Sequence, residues 1–183
     1  MILLGFGSNL SSNFGDRFKN IDLSILHLKN RGVIVKKKSS YYETYSYPNK
    51  KKPKFINIVA SVETKLSPSE LASQIIAVEK TLGRVRKNKN DPRTCDIDII
   101  DYKSQIFNFK YNNLDFTVPH KELEYRNFVL YPIEEILPGW RHPKTNKPVA
   151  ELIKKLTKDD KNSILKINKY WYKQSMLNHE DLI

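Results

Sequence analysis

Apolar residues recur along the first third of the chain with two different spacings, and each spacing predicts a type of element. Residues 1–7 form a short apolar run that ends in Gly-Ser-Asn, which predicts a buried strand followed by a turn. Residues 33–44 are rich in β-forming side chains, and residues 55–64 alternate, so both segments predict strands. Between the first two strands, apolar residues at helical spacing predict a helix that stops near Gly32: Phe14, Phe18, Ile21, Ile25 and Leu28.

A second predicted helix has clear boundaries. Ser67 is a plausible N-cap, Pro68 takes the first helical position, and Glu70 completes a capping box. Its apolar face ends at the stop signal Gly83 and consists of Leu71, Ile75, Val78 and Leu82. A basic loop, 84–94, then precedes a fourth strand at 95–101. The order β-α-β-β-α-β predicts a ferredoxin-like α+β fold, with both helices on one face of an antiparallel sheet.

The remainder of the chain adds elements outside that core. Residues 114–120 are predicted to be extended, residues 126–137 to enter a helix that Pro132 interrupts, and residues 148–156 to form a short amphipathic helix. We expect one domain over residues 1–158 and a C-terminal extension of unknown role over residues 159–183.

Composition narrows the class of protein. The chain has 183 residues, 39% of them hydrophobic, which is enough for a packed core, and a formal net charge of +12. Cys95 is the single cysteine, which excludes a disulfide scaffold, and we expect it in the core. No apolar run is as long as a membrane span, and the first residues lack the features of a signal peptide. These features predict a cytoplasmic protein with no membrane partner.

Two carboxylates and three guanidinium groups lie close together in the sequence. Asp96 and Asp98 are two apart on a predicted strand, so they share a face, about 6–7 Å apart. Such a pair can hold hard cations such as Mg²⁺, although alone it is more typical of an exposed polar face. Arg84, Arg86 and Arg93 precede the pair and offer planar groups suited to phosphate. Together these residues favour phosphoryl transfer.

Three residues farther along leave alternatives open. His120 can be a phosphate contact, a metal ligand or a packed loop histidine. Arg126 can add a phosphate contact, and Phe128 can be a stacking ring or a core residue. The sequence has neither G-x-x-x-x-G-K-[ST] nor G-x-G-x-x-G, which argues against the common nucleotide-binding folds.

Several motifs occur in an order that resembles a known enzyme family. GSNL, FINIVASVET, GRVR, PRTCDIDII and TVPH followed by RNF lie in this order within about residues 3–155. This pattern resembles the 6-hydroxymethyl-7,8-dihydropterin pyrophosphokinases of folate biosynthesis. The resemblance implies a ferredoxin-like enzyme that transfers the pyrophosphoryl group of ATP to the pterin hydroxymethyl group. It also implies AMP as a product and two Mg²⁺ ions.

The resemblance also implies roles for individual residues. Asp96 and Asp98 are implied as metal ligands and, with Arg84 and Arg93, as catalytic residues. The implied ATP-binding residues are Arg84, Arg86, Arg93, Ile99, Thr117, His120 and Arg126. The implied pterin-binding residues are Thr44, Tyr45, Phe55, Asn57 and Phe128.

Within that pterin site, the resemblance implies that Phe55 and Phe128 sandwich the ring and that Asn57 reads its polar edge. The chain departs from the family at Phe55, where a tyrosine is common, and at Tyr45-Ser46, where a Pro-Pro pair is familiar. It also has Asp91 where a glycine often precedes Pro-Arg-Thr.

Two other functions remain compatible with the same topology. A two-metal nucleotidyltransferase also places carboxylates on a strand, but it releases pyrophosphate instead of AMP. A basic RNA-binding module shares the fold, but the sequence lacks the K/R-G-F/Y-G/A-F-V-x-F/Y stretch. Asp96 and Asp98 would also repel a phosphate backbone unless metals intervened. We therefore expect small-molecule substrates without nucleic acid, in a monomer or weak homodimer.

Overall fold

The computed structural model describes residues 1–47, 49–86 and 91–168. The strands in these ranges are β1 Ile2–Ser8, β2 Ile34–Lys38, β3 Tyr41–Thr44, β4 Phe55–Glu63, β5 Asp96–Tyr102, β6 Phe107–Tyr111, β7 Leu114–Val118 and β8 Ile164–Ile167. The α-helices are α1 Arg17–Lys29, α2 Pro68–Thr81, α3 Asn127–Ile136, α4 Val149–Lys155 and α5 Lys158–Asn162. None of the helices in these ranges is long and apolar enough to cross a membrane.

Six of the strands form one antiparallel sheet. Its order is β5-β1-β4-β3-β8, and β2 pairs with β4 beside β3. The predicted strand at 33–44 is divided into β2 and β3 at Ser39, whose hydroxyl accepts the Val59 N–H at 3.1 Å. The predicted β-α-β-β-α-β order and the ferredoxin-like α+β fold are confirmed.

The sheet carries a hydrophobic cluster on each face. On one face, α1 and α2 pack side chains such as Ile21 and Ile75 against the strands. On the other face, α3 and α4 contribute Leu130 and Leu152 to a separate cluster with Trp140. Because both layers of helices are amphipathic, each stabilises the sheet mainly by removing apolar area from water.

The helix boundaries test the predicted caps. α2 has the predicted capping box, since Ser67 and Glu70 satisfy each other's backbone N–H groups, and Gly83 follows with a φ of +79°. The predicted start of α1 is wrong. The Asp16 side chain caps the helix by accepting the Lys19 N–H at 2.8 Å, so Phe14 lies before it and is exposed.

The predicted interruption at Pro132 is also wrong, because α3 runs through this residue. Proline in the sixth position removes a hydrogen bond to a carbonyl of the first turn, and burial of Leu130 and Ile133 outweighs that loss. The helix predicted at 148–156 is present as α4, and Cys95 is buried as expected.

The C-terminal residues complete the sheet. Of the residues assigned to the extension, 159–168 contribute most of α5 and all of β8, and β8 pairs with β3 so that Ile164 lies opposite Thr44. The Asn127 side chain donates to the Asp160 carbonyl at 2.6 Å and to the Ser163 hydroxyl at 2.9 Å. Residues 169–183 lie outside the described residues.

Candidate active site

The site begins with the alternation of side chains along β5. Ile97 and Ile99 enter the cluster beneath α1 and α2, whereas Asp96 and Asp98 lie on the opposite face, as predicted. In the pairing with β1, Gly7 lies opposite Asp96. The carboxylate of Asp96 therefore lies beside a position of the sheet that has no side chain, namely Gly7.

Gly7 is the residue around which three predicted site residues meet. A Cβ atom placed on Gly7 would lie 3.2 Å from Asn57 Oδ1, 3.5 Å from Phe55 Cδ1 and 3.8 Å from Asp96 Cβ. Asn57 also donates to Thr44 Oγ1 at 2.9 Å, so the end of β3 joins this group. The structure therefore brings together residues predicted for the pterin and one predicted for the metal.

Guanidinium groups surround the two aspartates. Asp96 accepts from Arg84 Nη1 at 2.5 Å, and its other oxygen lies 2.7 Å from Arg93 Nε. Burial opposes the ionisation of Asp96, but Arg84 and Arg93 outweigh it and lower the pKa of Asp96. Asp98 lies 3.7 Å from Arg126 Nη1, and burial together with the Asp96 charge raises the pKa of Asp98.

Two of these arginines also contact the aromatic residues predicted for the pterin. The Arg93 guanidinium carbon lies 5.2 Å from the Phe55 ring centroid, and that of Arg126 lies 5.5 Å from the Phe128 ring centroid. Each distance is within the range of a cation–π contact. Hence Arg93 links Phe55 to Asp96, and Arg126 links Phe128 to Asp98.

The predicted nucleotide residues lie beside the aspartates. A cavity of about 180 Å³ has a lining that includes Arg84, Arg86, Asp96, Asp98, Ile99, Thr117 and His120. His120 Nδ1 accepts the Glu122 N–H at 3.1 Å, and burial, with Arg126, lowers the pKa of His120 to about 4. A neighbouring groove of about 590 Å³ runs along the β6–β7 hairpin and is lined by Phe109 and Phe116. Five of the seven predicted ATP-site residues thus line one cavity. The other two, Arg93 and Arg126, form ion pairs with Asp96 and Asp98 in the same lining.

Tyr45 is a predicted pterin-site residue whose side chain lies away from this group. Its side chain is exposed, and Lys54 Nζ lies 4.8 Å from its ring centroid. The resemblance implies that Tyr45, like Thr44, contributes backbone contacts, and this role stays a prediction.

Sequence reasoning missed Glu79, which is buried behind the arginines. It pairs with Arg84 and Arg86, and its Oε1 accepts the Ile97 N–H at 2.9 Å. Burial raises the pKa of Glu79, and the two guanidinium groups oppose that rise. A signal was present, since Glu79 lies four residues after Ile75 on the apolar stripe of α2, where an acid needs a partner.

Sequence reasoning also missed Asn9 within the GSNL motif. Its Oδ1 accepts the Arg93 N–H at 2.6 Å, and its Nδ2 donates to Ser46 Oγ at 3.2 Å and the Pro53 carbonyl at 3.1 Å. This buried amide therefore holds the loop of Arg93 against the segment that follows β3.

The donor set fits a magnesium ion that also binds substrate. The described residues contain no cluster of three or more His, Cys, Asp or Glu side chains suited to a metal. Asp96 and Asp98 supply two half-buried carboxylates on one strand face. Mg²⁺ is typically held by one or two carboxylates, with waters and substrate phosphates completing its shell, so this pair fits Mg²⁺.

Known proteins give an independent comparison. The chain matches the family described as 7,8-dihydro-6-hydroxymethylpterin-pyrophosphokinase over residues 3–138. It is 33% identical over 148 residues to the 2-amino-4-hydroxy-6-hydroxymethyldihydropteridine pyrophosphokinase of Synechocystis sp., covering 80% of this chain and 73% of that protein. The enzyme of the same name from Aquifex aeolicus is 37% identical over 150 residues, with 82% and 88% covered.

Longer relatives contain a similar segment. The folic acid synthesis protein fol1 of Schizosaccharomyces pombe is 37% identical over 155 residues, which is 84% of this chain but 20% of that protein. The crystal structure of wild-type Plasmodium falciparum HPPK-DHPS superposes with a TM-score of 0.65 at 14% identity, covering 84% of this chain and 44% of that one. That likeness concerns the fold alone. The match over residues 3–138 shows that this chain belongs to the 7,8-dihydro-6-hydroxymethylpterin-pyrophosphokinase family.

Proposed function

We propose that this chain transfers the pyrophosphoryl group of ATP to the hydroxymethyl group of 6-hydroxymethyl-7,8-dihydropterin, giving AMP and the pterin diphosphate of folate biosynthesis. The observation that carries the proposal is the convergence at Gly7, where Phe55 and Asn57 meet Asp96. This arrangement places a surface for a flat heterocycle next to groups suited to a metal and phosphates.

Arg84, Arg93 and Arg126 are proposed to bind the triphosphate. ATP carries a charge of about −4, which must be neutralised before an oxygen nucleophile approaches a phosphorus atom. The three guanidinium groups pair with Asp96 or Asp98 and lie within reach of the same space. Two Mg²⁺ ions held by Asp96 and Asp98 would add Lewis-acid stabilisation of the phosphoryl oxygens.

The nucleotide is proposed to lie along the cavity that Ile99, Thr117 and His120 line. Ile99 is buried in the core beneath it, which gives the cavity a fixed apolar wall for a base. The neutral imidazole of His120, with Nδ1 already accepting a hydrogen bond, is left to donate from Nε2 to a phosphate oxygen.

The pterin is proposed to stack on Phe55 and Phe128, with its polar edge at Asn57 and at the backbone of Thr44 and Tyr45. Asn57 already donates to Thr44, which fixes the orientation of its amide. The contacts that Arg93 and Arg126 make with the two rings support adjacent positions for the two substrates. Such positioning is a large part of catalysis in phosphoryl transfer.

Product analysis tests the proposal. The protein is incubated with Mg²⁺, ATP and 6-hydroxymethyl-7,8-dihydropterin, and nucleotides are separated by chromatography. Formation of AMP that depends on the pterin is expected. Release of pyrophosphate would favour a nucleotidyltransferase, and formation of ADP or no reaction would contradict the proposal.

A further inference from the structure

Glu79 is a buried acid in the inner wall of the proposed nucleotide cavity. Its side chain is 2% exposed, on the side of α2 that faces the edge strand β5. Burying a carboxylate is costly unless cations and hydrogen-bond donors satisfy it. The partners of Glu79 therefore indicate what this carboxylate does.

Three donors converge on this carboxylate. Oε1 accepts from Arg84 Nη1 and from the Ile97 N–H, and Oε2 pairs with Arg86 Nη2. The Ile97 N–H belongs to the backbone between the two proposed metal ligands. Glu79 thus fixes two arginines relative to the strand that carries Asp96 and Asp98.

Arg84 is shared between two carboxylates in the described part of the chain. Its Nη1 contacts both Glu79 and Asp96. If Asp96 binds a divalent cation, its charge is engaged by that cation, and the cation repels a neighbouring guanidinium. Glu79 stays paired with the arginines in such an exchange, because both of its oxygens already accept from Arg84, Arg86 and the Ile97 N–H.

We infer that Glu79 is a positioning residue. It holds Arg84 and Arg86 at the nucleotide cavity when Asp96 binds a metal ion in place of arginine. The inference rests on the proposed function for its metal and its nucleotide. It assigns the buried carboxylate a role distinct from ligation, since its oxygens are already occupied by Arg84, Arg86 and Ile97.

Two substitutions separate charge from shape. Glu79→Gln keeps the size and an oxygen for the Ile97 N–H, but it removes the charge and turns an NH₂ group toward an arginine. Glu79→Asp keeps the charge and shortens the side chain. If charge holds the arginines, Glu79→Gln lowers kcat/KM for ATP about 10- to 100-fold, the size of a lost charge-assisted hydrogen bond, and Glu79→Asp loses less.

The experiment measures both substitutions, alone and with Arg84→Ala. Readouts are kcat, KM for each substrate, the affinity for an unreactive ATP analogue with Mg²⁺ by calorimetry, and the thermal midpoint. Removal of Arg84 should make the Glu79→Gln effect on ATP much smaller, with the pterin KM unchanged throughout. Glu70→Gln, on the exposed first turn of the same helix, is the matched control.

A purely structural Glu79 gives a different result. In that case Glu79→Asp is the worse variant, because Gln preserves the shape of the side chain. The effect of Glu79→Gln on ATP then adds fully to that of Arg84→Ala. Either result, or wild-type kinetics in Glu79→Gln, overturns the inference. A wild-type protein that forms no AMP contradicts the proposed function instead, and the calorimetric cycle with the ATP analogue still decides the role of Glu79.

Discussion

The sheet has one face that lies opposite α1 and α2, and this face has two halves. Both halves are formed by the same strands, but one is covered by helices and largely apolar, whereas the other is polar. The covered half, which includes Leu3, Val59 and Ile100, lies under α3 and α4 and is largely apolar, with the buried Asp101 accepting from Trp140 Nε1 at 2.8 Å. The polar half continues the same rows, with Asn57 on β4 and Asp96 on β5. Strand direction is unchanged between them, and the pairing of β1 with β5 shifts its register between Leu3 and Leu4. The comparison shows that the candidate site lies on the part of this sheet face that α3 and α4 leave uncovered.

This comparison predicts that activity and stability can be changed separately. Removal of a side chain from the polar half leaves no cavity in the core, whereas removal from the covered half does. The predictions below are ordered by the size of the expected effect.

The largest effect is expected for Asp96→Ala and Asp98→Ala. Loss of a metal-binding carboxylate costs several kcal/mol of transition-state stabilisation, so turnover should fall by about three orders of magnitude or more. Steady-state AMP formation at saturating Mg²⁺ measures this, and the circular dichroism spectrum should remain that of the wild type. Near-normal turnover in either variant would remove the metal assignment and, with it, the chemical contrast between the halves.

The converse effect is expected for Leu130→Ala in the covered half. Leu130 is 0% exposed in the cluster between α3 and the sheet. The cavity should lower the free energy of unfolding by about 2–5 kcal/mol, measured by urea titration. kcat, assayed where the variant is fully folded, should stay within about twofold of the wild type, whereas a large drop would mean that the halves are coupled.

A smaller, ligand-specific effect is expected for Gly7→Ala. The new Cβ would lie 3.2 Å from Asn57 Oδ1, so the amide must shift and its contact with the pterin weakens. A loss of about 1–3 kcal/mol in pterin binding is expected from calorimetry, with little change for an ATP analogue. Gly139→Ala is the matched control, because a Cβ at Gly139 meets nothing within 4 Å. Equal losses for both ligands would show that the two subsites are not distinct.

The smallest effect concerns pH and His120. Burial lowers the pKa of His120 from 6.5 to about 4 in the folded protein, so the unfolded chain binds the proton more tightly. The stability that the neutral imidazole contributes is therefore present above pH 6.5 and lost as the pH falls toward 4. Chemical denaturation across this range should show the wild type losing more stability than His120→Asn. Parallel pH profiles for the two proteins would contradict the assignment.

Local patterns were enough to predict the order of elements and the carboxylate pair. Asp96 and Asp98 are two residues apart on a strand, and the caps of α2 involve neighbours in sequence, so both could be deduced from spacing. Phe14 shows the limit of this reasoning, since an apolar residue in register lies outside the helix when Asp16 caps it.

The contacts that sequence reasoning missed join distant segments. Asn9 contacts residues of two other loops, and nothing in GSNL specifies which loops these are. Strand β6 was not predicted because its pairing with β7 depends on a hairpin that leaves alternate side chains half-exposed. Gly7 could be predicted as the end of a strand. That its missing side chain leaves room for Phe55 and Asn57 could be learned only from the positions of those residues.

The pairing of β8 with β3 has a consequence for biosynthesis. Until Ile164–Ile167 have been synthesised, β3 is the edge of the sheet, and the backbone donors and acceptors on one side of Tyr41–Thr44 have no strand partner. The side chain of Asn127, between Arg126 and Phe128, also cannot form its hydrogen bonds to Asp160 and Ser163 until those residues have been synthesised. A nascent or truncated chain therefore exposes an aggregation-prone strand edge next to the residues proposed for the pterin, and the last described strand is the one that covers it.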